Sequence, residues 1–305
     1  GQYGGQSING IDRILAPYVR KSYEKYVELT LQEQVEVYGM TPNIEKAEEI
    51  AWKRTQKEVK DGIQTIQYQI NTLMTTNGQA PFVTLFMHFD PKSELAKEAA
   101  LIDEEILKQR IQGIKNDADV YITPAFPKLI YVLDEHNVHP DSEYYYLTEL
   151  AAQCTAKRMY PDYISAKKMK EIYEGNVFAP MGCRSFLSPW KNEEGDYVFN
   201  GRFNIGVVSL NLPQIGILAQ GKEDVFFDIL EKRLDLAEKA LLFRYELLKD
   251  VTSDVSPIHW QYGAIARLPK GAPIRPLLEG GYATISLGYI GLYEATKLIV
   301  GDSNT

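Results

Sequence analysis

Cysteine is nearly absent: Cys154 and Cys183 are the only two among 305 residues. Two thiols so far apart make neither a disulfide framework nor a cysteine-cluster zinc site, and their scarcity points to a reducing compartment, the cytoplasm. The chain begins Gly1-Gln2-Tyr3 with no apolar signal stretch. No run approaches the roughly 20 apolar residues that span a bilayer, so no membrane anchoring is expected. Positive charge is in deficit, 33 Lys and Arg against 41 Asp and Glu, for a net charge of -8. That balance gives no general basic surface for DNA, RNA or an anionic membrane, although a small anion can still bind locally. Histidine is also scarce: His88, His136, His139 and His259 are the four present, and none forms a pair at ligand spacing within a helix, so no metal site is assigned. Internal repeats, low-complexity tracts and charge blocks are missing as well.

What is present is ample apolar material, 45% of the chain, enough for a packed core. After the Gly-rich opening "GQYGGQSING", residues 12–38 read as a helix with Pro17 in its first turns. A second helix carries Ile44, Ala47, Ala51, Thr55, Val59, Ile63, Ile66, Ile70 and Leu73 on one stripe, suited either to a partner helix or to covering its own sheet. Phe82 to Phe89 is a nearly continuous apolar run, the pattern of a strand buried on both faces. A helix over 93–115, the strand "PKLIYVLD", a helix over 142–160, the strand "RFNIGVVSLNLP", a long helix over 222–250 and the strand "YATISL" follow. In the long helix, charged residues are expected to fill the face away from its apolar stripe. Strands alternating with crossovers of a dozen or more residues argue for parallel strands in an α/β sheet or barrel, read here as one continuous domain over 1–305: a helical layer over 12–75, then alternation over 76–305.

Three places could carry chemistry. Cys183, in "APMGCRSFLSPW", sits in an irregular loop between Gly182 and Arg184, where it is either a chemical centre or a small apolar filler. His259, in "SPIHWQYG", is the histidine best placed to serve such a thiol as a base, against the simpler reading of a satisfied structural histidine. In "ISLGYIGLYEA" a strand ending near Leu287, with Gly288 and Gly291 in the connection to a helix, could aim free N–H groups at a phosphate; the same glycines could equally just permit close packing. Cys154, among Ala151, Ala152 and Ala156, reads as core.

Taken together, "QYGGQS", "CTAKRMYPDYIS", "PMGCRSFLSPW", "FNIGVVSLNLP" and "GYATISLGYIGLYE" resemble, in order, the class III (anaerobic) ribonucleoside-triphosphate reductases. The resemblance implies part of a ten-stranded α/β barrel of the glycyl-radical type with long N-terminal helices. It implies that Cys183 becomes a thiyl radical that removes the 3′ hydrogen of the substrate ribose, with Arg184 as a positioning or shielding residue. Asn204 matches a position where an amide faces the substrate hydroxyls, its alternative being a strand-edge Asn bonding backbone. Ser286, Gly288 and Gly291 match a stretch that meets substrate phosphate. Family members are longer, so the chain is expected to be an internal fragment, inactive alone, with the glycyl radical and a structural zinc on a missing C-terminal segment. Implied partners are a ribonucleoside triphosphate, deoxynucleotide effectors, an activase that cleaves S-adenosylmethionine, and a second copy, with the helices over 12–38 and 43–75 as the dimer interface. Rival readings are a non-radical cysteine hydrolase or transferase and a non-catalytic nucleotide-binding module. The related acyl-cleaving glycyl-radical enzymes are a nearer rival, but they commonly use adjacent cysteines on this loop, and here Gly182 and Arg184 flank a single one.

Overall fold

The computed structural model describes residues 5–74, 78, 82–180 and 186–301. Where the alternation in the sequence suggests one domain, the contacts fall into two compact units, Gly1–Phe186 and Leu187–Thr305. The first contains, in order, β1 (Gly5–Asn9), α1 (Ile11–Glu36), α2 (Ile44–Thr72), β2 (Phe82–Met87), α3 (Ala96–Gln112), β3 (Ile114–Lys115), β4 (Tyr121–Ile122), β5 (Lys128–Leu133), α4 (Glu135–Val138), α5 (Tyr145–Arg158), β6 (Asp162–Ser165) and α6 (Ala166–Ile172). β1, β2, β5 and β6 make a four-stranded sheet in that order, with every pair parallel, as the long crossovers require.

β2 and β5 are the central strands and bury both faces. Leu85, Met87, Leu129 and Tyr131 enter one core with Ile102, Ile106 and Leu107 of α3 and Leu147, Ala151 and Cys154 of α5. Phe86, Ile130 and Val132 enter another with Ala166 on the opposite face. Each such large side chain contributes about 1.5–3 kcal/mol through burial. The open question about α2 is resolved in favour of a partner helix: it packs on α1 and α3, burying Ala47, Ala51, Thr55, Val59 and Ile63. The turn between α1 and α2 is locked where the Gln34 amide bonds both backbone groups of Asn43, while the Asn43 side chain accepts from Lys46 N–H at 2.9 Å and caps α2.

The second unit holds β7 (Phe203–Asn211), α7 (Leu212–Ala219), α8 (Glu223–Leu248), two short helical turns, α9 (Pro257–Trp260) and α10 (Arg275–Leu278), then β8 (Ala283–Ile290) and α11 (Leu292–Val300). β7 and β8 pair in parallel. Leu210, Leu212, Ile215, Ala237 and Ala295 form their core, joined by Phe226, Ile229 and Leu230 of α8. α8 departs from expectation on its other face, which exposes Phe227, Leu236, Phe243 and Leu247 rather than only charges. The described strands thus form parallel sheets within a mixed α/β chain, together with the short antiparallel pair β3–β4. No described helix is long and apolar enough to cross a membrane.

Candidate active site

Cys183 and Arg184 lie outside the described residues; the described residues on either side of them are held by hydrogen bonds and ring packing. On the first unit's side, the Ser7 hydroxyl of β1 donates to the Pro180 carbonyl at 2.5 Å, and the Asn9 carboxamide accepts from Ala179 N–H at 3.2 Å. Phe186 packs against Tyr173 and Phe178 at ring separations of 6.0 and 5.8 Å. On the second unit's side, Arg202, 8% exposed, donates to the carbonyls of Ser188 at 2.5 Å, Gly281 at 2.8 Å and Tyr282 at 2.9 Å. Burial lowers the pKa of this guanidinium. One cation therefore ties the segment at Ser188 to the start of β8, and Trp190 packs edge-on against Tyr282 at 5.0 Å.

Asn204 stands at an irregularity in β7, where the register with β8 shifts between Asn204 and Gly206. Its carbonyl oxygen accepts from Gly206 N–H at 2.7 Å, and its amide nitrogen donates to the Ser286 hydroxyl across the strand pair. Both ends of the carboxamide are thereby assigned: the oxygen is held by backbone, and the nitrogen keeps a second hydrogen free for another partner. Thr284, the register partner of Asn204, alternates onto the same face as Ser286, and its buried hydroxyl has no partner among the described residues. Asn204, Thr284 and Ser286 are thus a polar row on one face of a two-stranded parallel sheet.

The glycines turn out differently from the sequence reading. β8 continues to Ile290, so Gly288 lies inside the strand and not in the connection. A Cβ there would stand 2.9 Å from Ser209 Oγ, which makes the strand-to-strand approach its immediate requirement. Gly291 does end the strand: it caps α11 in the left-handed region at φ 73°, with Pro213 pressed against the place a Cβ would occupy. The first turn of α11 also carries Glu294, whose charge already complements the helix N-terminus.

A family model described as anaerobic ribonucleoside-triphosphate reductase matches residues 1–305. The chain belongs to that family. It is 40% identical over 308 residues to the anaerobic ribonucleoside-triphosphate reductase of Enterobacteria phage T4, covering 99% of this chain and 48% of that protein. It is likewise 40% identical over 301 residues to the Escherichia coli (strain K12) reductase, covering 98% of this chain and 40% of that protein. The chain thus spans less than half the length of these relatives. In fold it is similar to the crystal structure of the anaerobic ribonucleotide reductase from Thermotoga maritima, with a TM-score of 0.55 at 14% identity, over 97% of this chain and 43% of that one.

Elsewhere in this family member, His259 Nδ1 bonds the Ser256 hydroxyl at 2.6 Å, the satisfied structural histidine of the simpler reading. Cys154 is fully buried, and burial pushes its thiol up to about 11, a core residue as expected. Among the described residues no three His, Cys, Asp or Glu side chains are grouped to hold a metal ion. Sequence reasoning missed a cluster at the carboxyl end of the four-stranded sheet. His88 Nε2 lies 3.1 Å from Asp134, which also bonds Lys170 at 3.0 Å, beside a cavity of about 530 Å³. Burial lowers the pKa of His88; burial would raise Asp134, but bonds from Glu135 N–H, His88 and Lys170 outweigh it and hold the carboxylate at about 2. The available signal was position, since His88 and Asp134 each immediately follow a core strand. Also missed were Asp12 and Asp103, two buried acids each with an oxygen lacking a partner among the described residues.

Proposed function

We propose that the whole protein to which this chain belongs reduces ribonucleoside triphosphates to deoxyribonucleoside triphosphates by thiyl-radical chemistry. The observation that carries this reading is the fixed Asn204 carboxamide in a chain of the reductase family: held at both ends, it offers one N–H on a polar strand face, the geometry needed to bind a sugar hydroxyl. A preset donor is worth more than a mobile one because no reorganisation is needed when the reaction begins.

In this reading Cys183, as thiyl, takes the 3′ hydrogen of the ribose, leaving a carbon radical and a re-formed S–H. The 2′ hydroxyl then departs as water with one proton, and two electrons and one further proton from the reductant, formate or a thiol protein, complete the exchange of C–OH for C–H. The hydrogen atom finally returns from the thiol to C3′. Asn204 holds the hydroxyls through its free N–H, Ser286 fixes the orientation of Asn204, and Arg184 positions or shields. Gly291, at the cap of α11, lets the backbone reach the phosphates there, while Gly288 sits three residues earlier within β8. A glycyl radical supplies the one-electron oxidation of the thiol; that residue and a structural zinc are assigned to segments outside these 305 residues, with an iron–sulfur activase installing the radical. Closure of the parallel sheets into a ten-stranded barrel would give the radical a dry enclosure. α1, which exposes Ile14 and Tyr18, and α2 would form the dimer interface beside the deoxynucleotide effectors.

The test uses the full-length protein under anaerobic conditions with each of the four ribonucleoside triphosphates. Asn204→Ala is expected to lower kcat/KM about 10- to 100-fold, the effect of losing 1.5–3 kcal/mol of hydrogen bonding to a reacting group. Ser286→Ala should lower kcat with KM little changed, and Ser286→Thr should restore most of the loss. Unchanged turnover in Asn204→Ala would remove the residue from the site.

A further inference from the structure

Thr284 is the second residue of β8, and its hydroxyl oxygen is buried with no hydrogen-bond partner among the described residues. A buried hydroxyl has given up its bonds to water, and leaving them unreplaced is a net cost, so such a group marks a bond completed from elsewhere. The other described side-chain atoms in this condition belong to Asp12, Glu98, Asp103 and Arg110, all ionisable and all in the first unit. Thr284 alone among them is neutral and shares a strand face with Asn204.

Its position gives the missing partner a character. Thr284 is the register partner of Asn204 on β7, and Ser286 follows two residues along the same face. Neighbouring strands lie about 4.8 Å apart, so the Asn204 and Thr284 side chains stand side by side across the pair. Asn204 commits its oxygen to Gly206 N–H and one amide hydrogen to the Ser286 hydroxyl, which leaves a single N–H. One N–H holds one hydroxyl. Ser286 has already given acceptor capacity to Asn204, whereas Thr284 has both its O–H and its lone pairs unassigned. Two such groups on adjacent strands, each making a hydrogen bond of about 2.8 Å, span a pair of oxygens on neighbouring carbons. A charged ligand group is a poorer match. The row is neutral, and Arg202, immediately before β7, already serves three backbone carbonyls.

We propose that Thr284 is a substrate-binding residue whose hydroxyl bonds the ribose hydroxyl next to the one held by Asn204, so that β7 and β8 together clamp the 2′,3′-diol. The assignment rests on the reductase reading and adds to it a residue that discriminates ribose from deoxyribose. A product that has lost its 2′ hydroxyl loses one of the two clamping bonds, which favours its release.

The experiment uses the activated full-length protein under anaerobic conditions. Thr284→Val keeps the side-chain shape and removes only the hydroxyl. It is expected to lower kcat/KM for ribonucleoside triphosphates about tenfold or more while leaving the thermal midpoint unchanged or higher, because the hydroxyl bonds nothing in the protein. Thr284→Ser keeps the hydroxyl and should stay within about threefold of wild type. Competitive inhibition by 2′-deoxy and 3′-deoxy nucleoside triphosphates identifies the bond. The analogue lacking the hydroxyl that Thr284 holds should inhibit wild type and Thr284→Val equally, and the other should bind the variant more weakly. Should Thr284→Val fail to fold, Thr284→Ala against Thr284→Ser makes the same comparison. Equal turnover by Thr284→Val and wild type, a serine variant no better than the valine one, or an activity loss that tracks a lowered midpoint would overturn the assignment and leave the reductase reading standing. No reduction by the activated wild type would contradict that reading, and the assignment with it.

Discussion

Asp12→Asn is expected to make the protein more stable at neutral pH, against the usual result of altering a fully buried polar side chain. Asp12, in the first turn of α1, has no exposed surface; one carboxylate oxygen accepts from Arg13 N–H at 2.7 Å and the other has no partner among the described residues. Asp103, equally buried on α3, also has an oxygen without a partner, and the two acids repel each other. Burial, opposed in part by the Arg13 N–H bond and the Arg13 charge, raises Asp12 from its ordinary 3.8 to about 6. An acid whose folded pKa lies above its unfolded value binds the extra proton in the folded state. Stability therefore falls as pH rises from about 4 to 6, and the full penalty persists above that. Raising an acid by this much corresponds to about 3 kcal/mol. Asparagine keeps the acceptor for Arg13 and cannot ionise, so the variant should gain about 2–3 kcal/mol above pH 6 and show little advantage below pH 4. Urea titrations of wild type and Asp12→Asn at half-unit intervals from pH 4 to 8 give the difference directly, with other groups cancelling. A difference that does not vary with pH, or a variant less stable than wild type at pH 8, would refute the reasoning.

Arg202→Met should cost about 3–5 kcal/mol in urea denaturation, because it strands the carbonyls of Ser188, Gly281 and Tyr282 in buried surroundings. It should also depress turnover by loosening the segment that leaves the Cys183 loop. Gly291→Ala combines a left-handed backbone with the press of Pro213 and should lower stability by about 2 kcal/mol or more; loss of nucleotide affinity with no loss of stability would instead favour a phosphate role for this position.

Elements specified by local pattern were legible in the sequence. The stripe of α2 and the nearly continuous apolar run of β2 follow from burial on one or two faces, and parallel pairing follows from crossover length. β1 and β6 were not legible: they are the two edge strands, short, half-exposed and polar in part, so neither alternation nor a hydrophobic run marks them. The exposed apolar face of α8 escaped notice because its charged residues are interspersed rather than gathered on one side. In the candidate site, family resemblance found Asn204 and Ser286 separately. Their mutual bond, between residues far apart in the chain, depends on strand register and a bulge that no local pattern encodes. Thr284 was invisible for the same reason. The pairing of Asp12 with Asp103 depends on how α1 meets α3, which helix periodicity does not specify.

The central claim is that the sulfur of Cys183 takes a hydrogen atom from the ribose, and the most direct measurement is turnover of a 3′-deuterated ribonucleoside triphosphate by the activated full-length protein. The account predicts a primary isotope effect on kcat/KM, and no deoxynucleotide from a folded Cys183→Ser variant. Reduction by that variant, or equal rates for the two isotopologues under conditions where chemistry limits turnover, would contradict it.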